Sequence, residues 1–116
     1  MRKLTALLIV RNEETMLPAC LDSLVGVVDG LAVLDTGSTD GTVSLLDDET
    51  RRDRFASVVW EQHPFVDFAD ARNRALALVE SPWCLWIDAD ERLSPELADE
   101  LRQALDSGGL DAADAW

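Results

Sequence analysis

Apolar and polar positions alternate along the chain in blocks of two kinds. Leu4 to Val10 and Trp83 to Ile87 are almost continuously apolar and of strand length, the pattern of strands covered on both faces in a parallel sheet. Leu31 to Leu34 and Ser57 to Trp60 are shorter runs of the same kind. Helix-length stretches separate them. Met16 to Val25 sets Leu17, Cys20, Leu21 and Leu24 at helical spacing and tolerates Pro18 in its first turn. Thr39 to about Arg52 predicts a second helix, weakened by Asp47, Asp48 and Glu49. Phe68 to Glu80 predicts a third, with Asp67 as N-cap and Ser81-Pro82 as the stop. Ser94-Pro95-Glu96 opens a fourth: Ser94 caps, Pro95 takes the first helical position, and Glu96 suits the positive end of the helix dipole. It fades at Ser107-Gly108-Gly109. Strand followed by helix, repeated, predicts a doubly wound α/β layer: a parallel sheet of about four strands, right-handed crossovers, and helices on both faces.

Composition narrows the partners. The 116 residues make one domain, 47% apolar, with a net charge of −13 from 23 acidic and 10 basic side chains. Nucleic acid is excluded as a partner, because such affinity rests on Lys and Arg displacing counterions, and a phosphate ligand would need a metal or a very local arginine. No apolar run approaches the roughly 20 residues that span a bilayer, and no small-residue cleavage site follows the apolar start. A cytoplasmic location is the expectation. Cys20 and Cys84 lack metal or redox spacing and read as reduced packing residues. The last residue, Trp116, is a large apolar side chain with no later element to cover it. Residues 1–116 are therefore expected to be a single truncated domain, and self-association through the surface left open is expected with it.

In an open α/β sheet, ligands bind beyond the carboxyl ends of the strands. Three predicted strand ends carry carboxylates: Arg11-Asn12-Glu13-Glu14, Asp35-Thr36-Gly37-Ser38-Thr39-Asp40-Gly41, and Asp88-Ala89-Asp90-Glu91. Asp88 and Asp90, two residues apart, can converge on a hard divalent cation that in turn holds a diphosphate. The plainer alternative is an acidic strand-to-helix loop. A turn accounts for Gly37, for Thr39 or Asp40 as cap, and for Gly41, and leaves Asp35 unexplained. A carboxylate at a strand's last position is suited to accept hydrogen bonds from a base edge or a ribose. Arg72, early in the third helix, can neutralise the acidic cluster and donate to a base carbonyl or phosphate. A solvated partner for Asp70 or Glu80 is a better description of Arg74. His63 is the only histidine and reads as a loop residue. Trp60, Trp83 and Trp86 read as packing in or beside the sheet.

Four segments taken together, L-L-I-V-R-N-E-E, L-A-V-L-D-T-G-S-T-D-G-T, F-A-D-A-R-N-R-A-L and W-I-D-A-D-E, resemble in order and separation the family-2 inverting glycosyltransferases of the GT-A fold. The resemblance covers residues 4 to about 93. It implies a Rossmann-like nucleotide-sugar-binding half with strand order 3-2-1-4, a UDP-sugar or other NDP-sugar as donor, and Mn²⁺ or Mg²⁺ as cofactor. Position by position, it makes Asp35 the aspartate on the base and Arg72 the arginine near base and diphosphate. Asp88 becomes the first DxD aspartate, near ribose and metal, and Asp90 the metal-binding one. Asn12 and Glu13 match the loop that closes over the nucleoside. Val10-Arg11 stands where many members have Thr-Tyr. The family's general base lies in a later acceptor-binding half, so it is expected beyond Trp116, and no catalytic base is expected among these residues.

The function expected on this basis is donor binding for transfer of a sugar to an acceptor hydroxyl, with the chain inactive alone. Three alternatives come from other classes. A non-catalytic nucleotide-binding or assembly module is one. A receiver-like signalling domain needs a late lysine, and Lys3 is the only lysine. A haloacid-dehalogenase-type phosphatase places its D-x-D after the first strand, whereas Asp88 follows the fourth.

Overall fold

The computed structural model describes residues 4–48, 53–79, 81 and 83–107. The continuously apolar first run becomes β1 (Leu4–Val10), and α1 (Leu17–Leu24) returns the chain to β2 (Gly30–Asp35). A short α2 (Thr42–Leu46) leads to β3 (Ser57–Gln62). Then α3 (Phe68–Ala77) crosses back to β4 (Trp83–Trp86), and α4 (Pro95–Ser107) follows. The sheet order is β3-β2-β1-β4 with every pairing parallel, so all four strands deliver their C-terminal ends to one edge.

Residue alternation along β1 builds a layer on each face of the sheet. Leu4, Ala6, Leu8 and Val10 join Leu17, Cys20, Leu21 and Leu24 of α1 and Ala98 and Leu101 of α4. Leu7 packs on the opposite face with Ala32, Leu34 and the α3 residues Ala71 and Ala75. Helices therefore cover both faces, as the apolar pattern predicts. Each fully buried leucine contributes roughly 1.5–3 kcal/mol, and Leu4, Leu7 and Leu8 concentrate that gain on the central strand. Trp60 and Trp83 pack against the first layer and Trp86 against the second.

The caps are where the sequence puts them. Asp67 Oδ1 accepts from the Asp70 N–H at 2.7 Å to start α3, and Ser94 Oγ accepts from the Leu97 N–H at 3.1 Å to start α4. Several bounds differ from expectation: the third helix ends at Ala77 and not Glu80, β4 ends at Trp86 and not Ile87, and α2 and β3 differ more. Helix α2 begins at Thr42 and not at Thr39, because Asp40 Oδ1 accepts from both the N–H (2.9 Å) and the hydroxyl (2.5 Å) of Thr42 and holds the preceding residues in a turn. It ends at Leu46, before the acidic residues that oppose the negative end of a helix dipole; the expected continuation over 49–52 lies outside the described residues. Strand β3 is two residues longer than its apolar run and is covered on one face only. As an edge strand it pairs Glu61 and Gln62 with Leu34 and Asp35 through the backbone, while Val59 stays 39% exposed. Cys20 and Cys84 are both free thiols. Burial, aided by Glu91, pushes the Cys20 thiol up to about 11.

Candidate nucleotide site at the carboxyl edge of the sheet

The loop after β1 is fastened to the loop after β2. Asn12 takes a left-handed backbone (φ 54°), its N–H donates to Ser38 Oγ at 2.8 Å, and its Oδ1 accepts from the Thr39 N–H at 2.7 Å. The Glu13 N–H donates to Thr42 Oγ1 at 2.8 Å, and Glu14 Oε2 accepts from the Gly41 N–H at 3.0 Å. The Asn12 side chain is thus committed to loop geometry, whereas the Glu13 carboxylate has no hydrogen bond among the described residues. Thr42, the last residue of the L-A-V-L-D-T-G-S-T-D-G-T segment, joins this network as well.

Asp35 ends β2 completely buried. Its Oδ1 accepts from the N–H groups of Gly37 (2.9 Å) and Ser38 (2.8 Å), and more weakly from Gln62 Nε2 (3.4 Å). Asp35 therefore builds the turn itself, with Gly37 adopting the positive φ of 125° that the turn needs. Burial alone would push this carboxyl up, but the donors from Ser38, Gly37 and Gln62 outweigh it and hold the group below its ordinary value. The other oxygen, Oδ2, is buried with no partner among the described residues. A buried acceptor left without a donor costs about 1–3 kcal/mol. Asp35's neighbours Thr36 and Gly37 and its partner Gln62 line a cleft of about 520 Å³ with Arg11, Pro64 and Phe65; Asp35 itself lies behind them. Gln62, Pro64 and Phe65 escape sequence reasoning because the apolar run stops at Trp60; the signal that would have found Gln62 is the register opposite Asp35.

The acidic end sits on the far side of β1. Laterally β4 lies two strand spacings from β2, about 10 Å, with β1 between them. Asp88 and Asp90 are exposed, with Ala89 buried between them. The Asp88 N–H donates to Glu91 Oε1 at 2.8 Å. Burial, then the neighbouring charges of Glu91 and Asp90, push the Asp88 carboxyl above its ordinary value. No group of three or more metal-binding side chains forms among the described residues. Two hard carboxylates short of a full ligand set suit Mg²⁺ or Mn²⁺, which keep several waters and complete their shell with substrate phosphates, and a cation would relieve the repulsion at Asp88.

Arg72 stands on α3 with its guanidinium carbon 5.0 Å from the ring centroid of Trp86, the last residue of β4. Asp70 is taken by Arg74, whose Nε lies 3.2 and 3.1 Å from the two carboxylate oxygens, as the sequence reading of Arg74 expects. His63 Nε2 stands 3.8 Å from the same carboxylate. No helix among the described residues is long and apolar enough to cross a membrane.

The family model Glycosyl transferase family 2 matches residues 5–116. Among related sequences, a TPR repeat-containing protein of Synechococcus elongatus is 40% identical over 91% of this chain and 25% of its own length. The lipopolysaccharide core biosynthesis glycosyltransferase LpsC of Rhizobium meliloti is 35% identical over 88% of this chain and 37% of its own length. The chain thus spans about a quarter to just over a third of these relatives. Among solved structures, S. aureus TarS in complex with UDP-GlcNAc superposes with a TM-score of 0.71 at 21% identity, over 90% of this chain and 31% of TarS. Glucosyl-3-phosphoglycerate synthase from Mycobacterium tuberculosis, in complex with Mn²⁺ and UDP-glucose, gives a TM-score of 0.53 at 33% identity, over 77% of this chain and 33% of that one.

Proposed function

Since the chain belongs to glycosyl transferase family 2, we propose that its carboxyl sheet edge binds the nucleotide-sugar donor of a metal-dependent, inverting transfer to an acceptor hydroxyl. The observation that carries the reading is the asymmetry of Asp35: Oδ1 is saturated by donors of its own chain, and Oδ2 is buried without one among the described residues. A base bringing an N–H to Oδ2 removes that cost and gains a charge-assisted hydrogen bond. To reach it from the cleft the base displaces the Gln62 amide, whose contact with Oδ1 is the longest of the three.

A single free acceptor favours uracil or thymine, each of which offers one ring N–H between two carbonyls, over the other bases. Cytosine presents an unprotonated ring nitrogen at that place, and guanine pairs its ring N–H with an adjacent amino group that calls for a second acceptor. Of the two, the UDP-sugars held by the two structural neighbours favour uracil, and a UDP-sugar is the donor this reading names.

The remaining residues divide the rest of the ligand. Arg72 donates to a base carbonyl or the diphosphate, Asn12 and Glu13 border the nucleoside, and Asp88 faces the ribose. Asp90, with Asp88, would hold Mn²⁺ or Mg²⁺, which when bound supplies positive charge to the departing diphosphate. Inversion needs a base to take the acceptor's hydroxyl proton. In this reading that base and the acceptor site lie outside these 116 residues, consistent with the fraction of its relatives that the chain spans.

Calorimetric titration of UDP, GDP, dTDP and CDP, with and without Mn²⁺, tests the reading. UDP should bind most tightly, Mn²⁺ should strengthen it, and Asp90→Ala should abolish the Mn²⁺ enhancement. Equal binding of all four, or an undiminished enhancement in Asp90→Ala, would contradict it.

A further inference from the structure

The Arg72 side chain is exposed on α3 and makes no hydrogen bond or ion pair among the described residues; its guanidinium carbon lies over the Trp86 indole, 5.0 Å from the ring centroid. Trp86 is the last residue of β4, half-buried on the sheet face that α3 covers, beside Leu7, Leu34, Ala71 and Ala75. The nearby acid on the same helix, Asp70, is occupied by Arg74 and approached by His63. Two residues beyond Trp86 begins the cluster Asp88, Asp90 and Glu91.

We infer that Trp86 is a positioning residue that seats Arg72 over its ring and thereby readies the arginine for the donor nucleotide. This rests on the reading that Arg72 contacts that nucleotide. An arginine held by nothing samples many rotamers, and that freedom has to be given up when a ligand is bound. An aromatic face holds the guanidinium by its quadrupole without consuming any N–H donor, so the in-plane fork stays free for a carbonyl or phosphate. Side-chain freedom given up in the free chain is not charged again on binding. Helix α3 sets the geometry: Ala71 and Ala75 are small enough to bring the helix close to the sheet, and Arg72, next along the helix, then falls over the strand's last residue.

The test is a double-mutant cycle on the full chain, reading the UDP dissociation constant in Mn²⁺ for the parent, Trp86→Leu, Arg72→Met and the double variant. Trp86→Leu should weaken binding about two- to fivefold, the factor to which an exposed cation–π contact converts. In the Arg72→Met background the same change should do nothing further. Trp86→Phe keeps a ring in the layer, should fall between tryptophan and leucine, and carries the test if the leucine variant does not fold. Independently of any nucleotide, the Arg72 δ-methylene protons should show an upfield ring-current shift that Trp86→Leu removes. Equal weakening in both backgrounds would make Trp86 a packing residue only and overturn the inference. Unchanged UDP binding by Arg72→Met would overturn the reading of Arg72 and the inference with it, and a persisting ring-current shift would identify that failure as one of function and not of contact.

Discussion

Replacing Asp35 by asparagine separates its two oxygens. The Gly37 and Ser38 N–H groups at 2.9 and 2.8 Å oblige the amide to keep its carbonyl oxygen in the Oδ1 place, which puts an NH₂ group where the unpartnered Oδ2 stood. The loop keeps its donors' partner, though two hydrogen bonds to a charge, worth about 1.5–3 kcal/mol each, become ordinary ones of about 0.5–1.5. Loss of a buried charge offsets part of this, so the fold should weaken by no more than about 2 kcal/mol. Binding changes sign at the one atom that matters: a donor now faces the N–H of the base. Forfeiting the charge-assisted bond alone, about 1.5–3 kcal/mol, corresponds to a roughly tenfold to hundredfold weaker affinity. Calorimetry with UDP should show this loss equally with and without Mn²⁺, while urea unfolding at pH 7 shows the variant folded. A folded Asp35→Asn variant that binds UDP within about twofold of the parent would refute the assignment of Oδ2.

Other consequences follow from the same geometry. Because hydrogen-bond donors of Ser38, Gly37 and Gln62 hold the Asp35 carboxyl below 3.8 despite burial, the unfolded chain takes up the proton first as pH falls. Its contribution is complete above that value and drains away as pH drops through the lower native one, so the urea midpoint of the parent should fall more steeply in acid than that of Asp35→Asn. Asp88, pushed the other way by burial and then by Glu91 and Asp90, predicts the opposite: Asp88→Asn should leave stability at pH 7 unchanged or raised by up to about 0.5 kcal/mol, while weakening UDP binding in Mn²⁺. Gly30→Ala would place a Cβ 2.6 Å from Ser57 Oγ and 3.3 Å from the Ser57 carbonyl. It should cost about 1–3 kcal/mol in urea unfolding, and adding Ser57→Ala should recover part of that.

Most of the fold is legible in the sequence because local and global signals coincide. Leu4 to Val10 reads as a strand covered on both sides and is the one on which both layers close. Asp67 and Ser94 are side chains whose capping depends only on neighbours in sequence. What is not legible depends on tertiary position. Glu61 and Gln62 look like loop, yet an edge strand needs only its backbone partner. Thr39 looks like a helix start, but Asp40 competes for the Thr42 donors. At the site, the choice of Asp35, Asp88 and Asp90 follows from strand ends that parallel topology brings to one edge. The lone free oxygen of Asp35 and the seat of Arg72 on Trp86 arise from contacts across β3 and α3 that no spacing encodes.

The central claim is that one edge of this sheet holds a nucleoside diphosphate between Asp35 and Asp90. Backbone amide shifts recorded while UDP and Mg²⁺ are titrated into the isotope-labelled chain test it most directly. The account predicts changes concentrated at Arg11 to Glu13, Asp35 to Thr39, Gln62 to Phe65, Arg72 and Asp88 to Glu91, with those at Asp88 to Glu91 depending on Mg²⁺. Shifts confined to the opposite edge, around Thr5, Asp29 and Ser57, or no shifts at millimolar UDP, would contradict it.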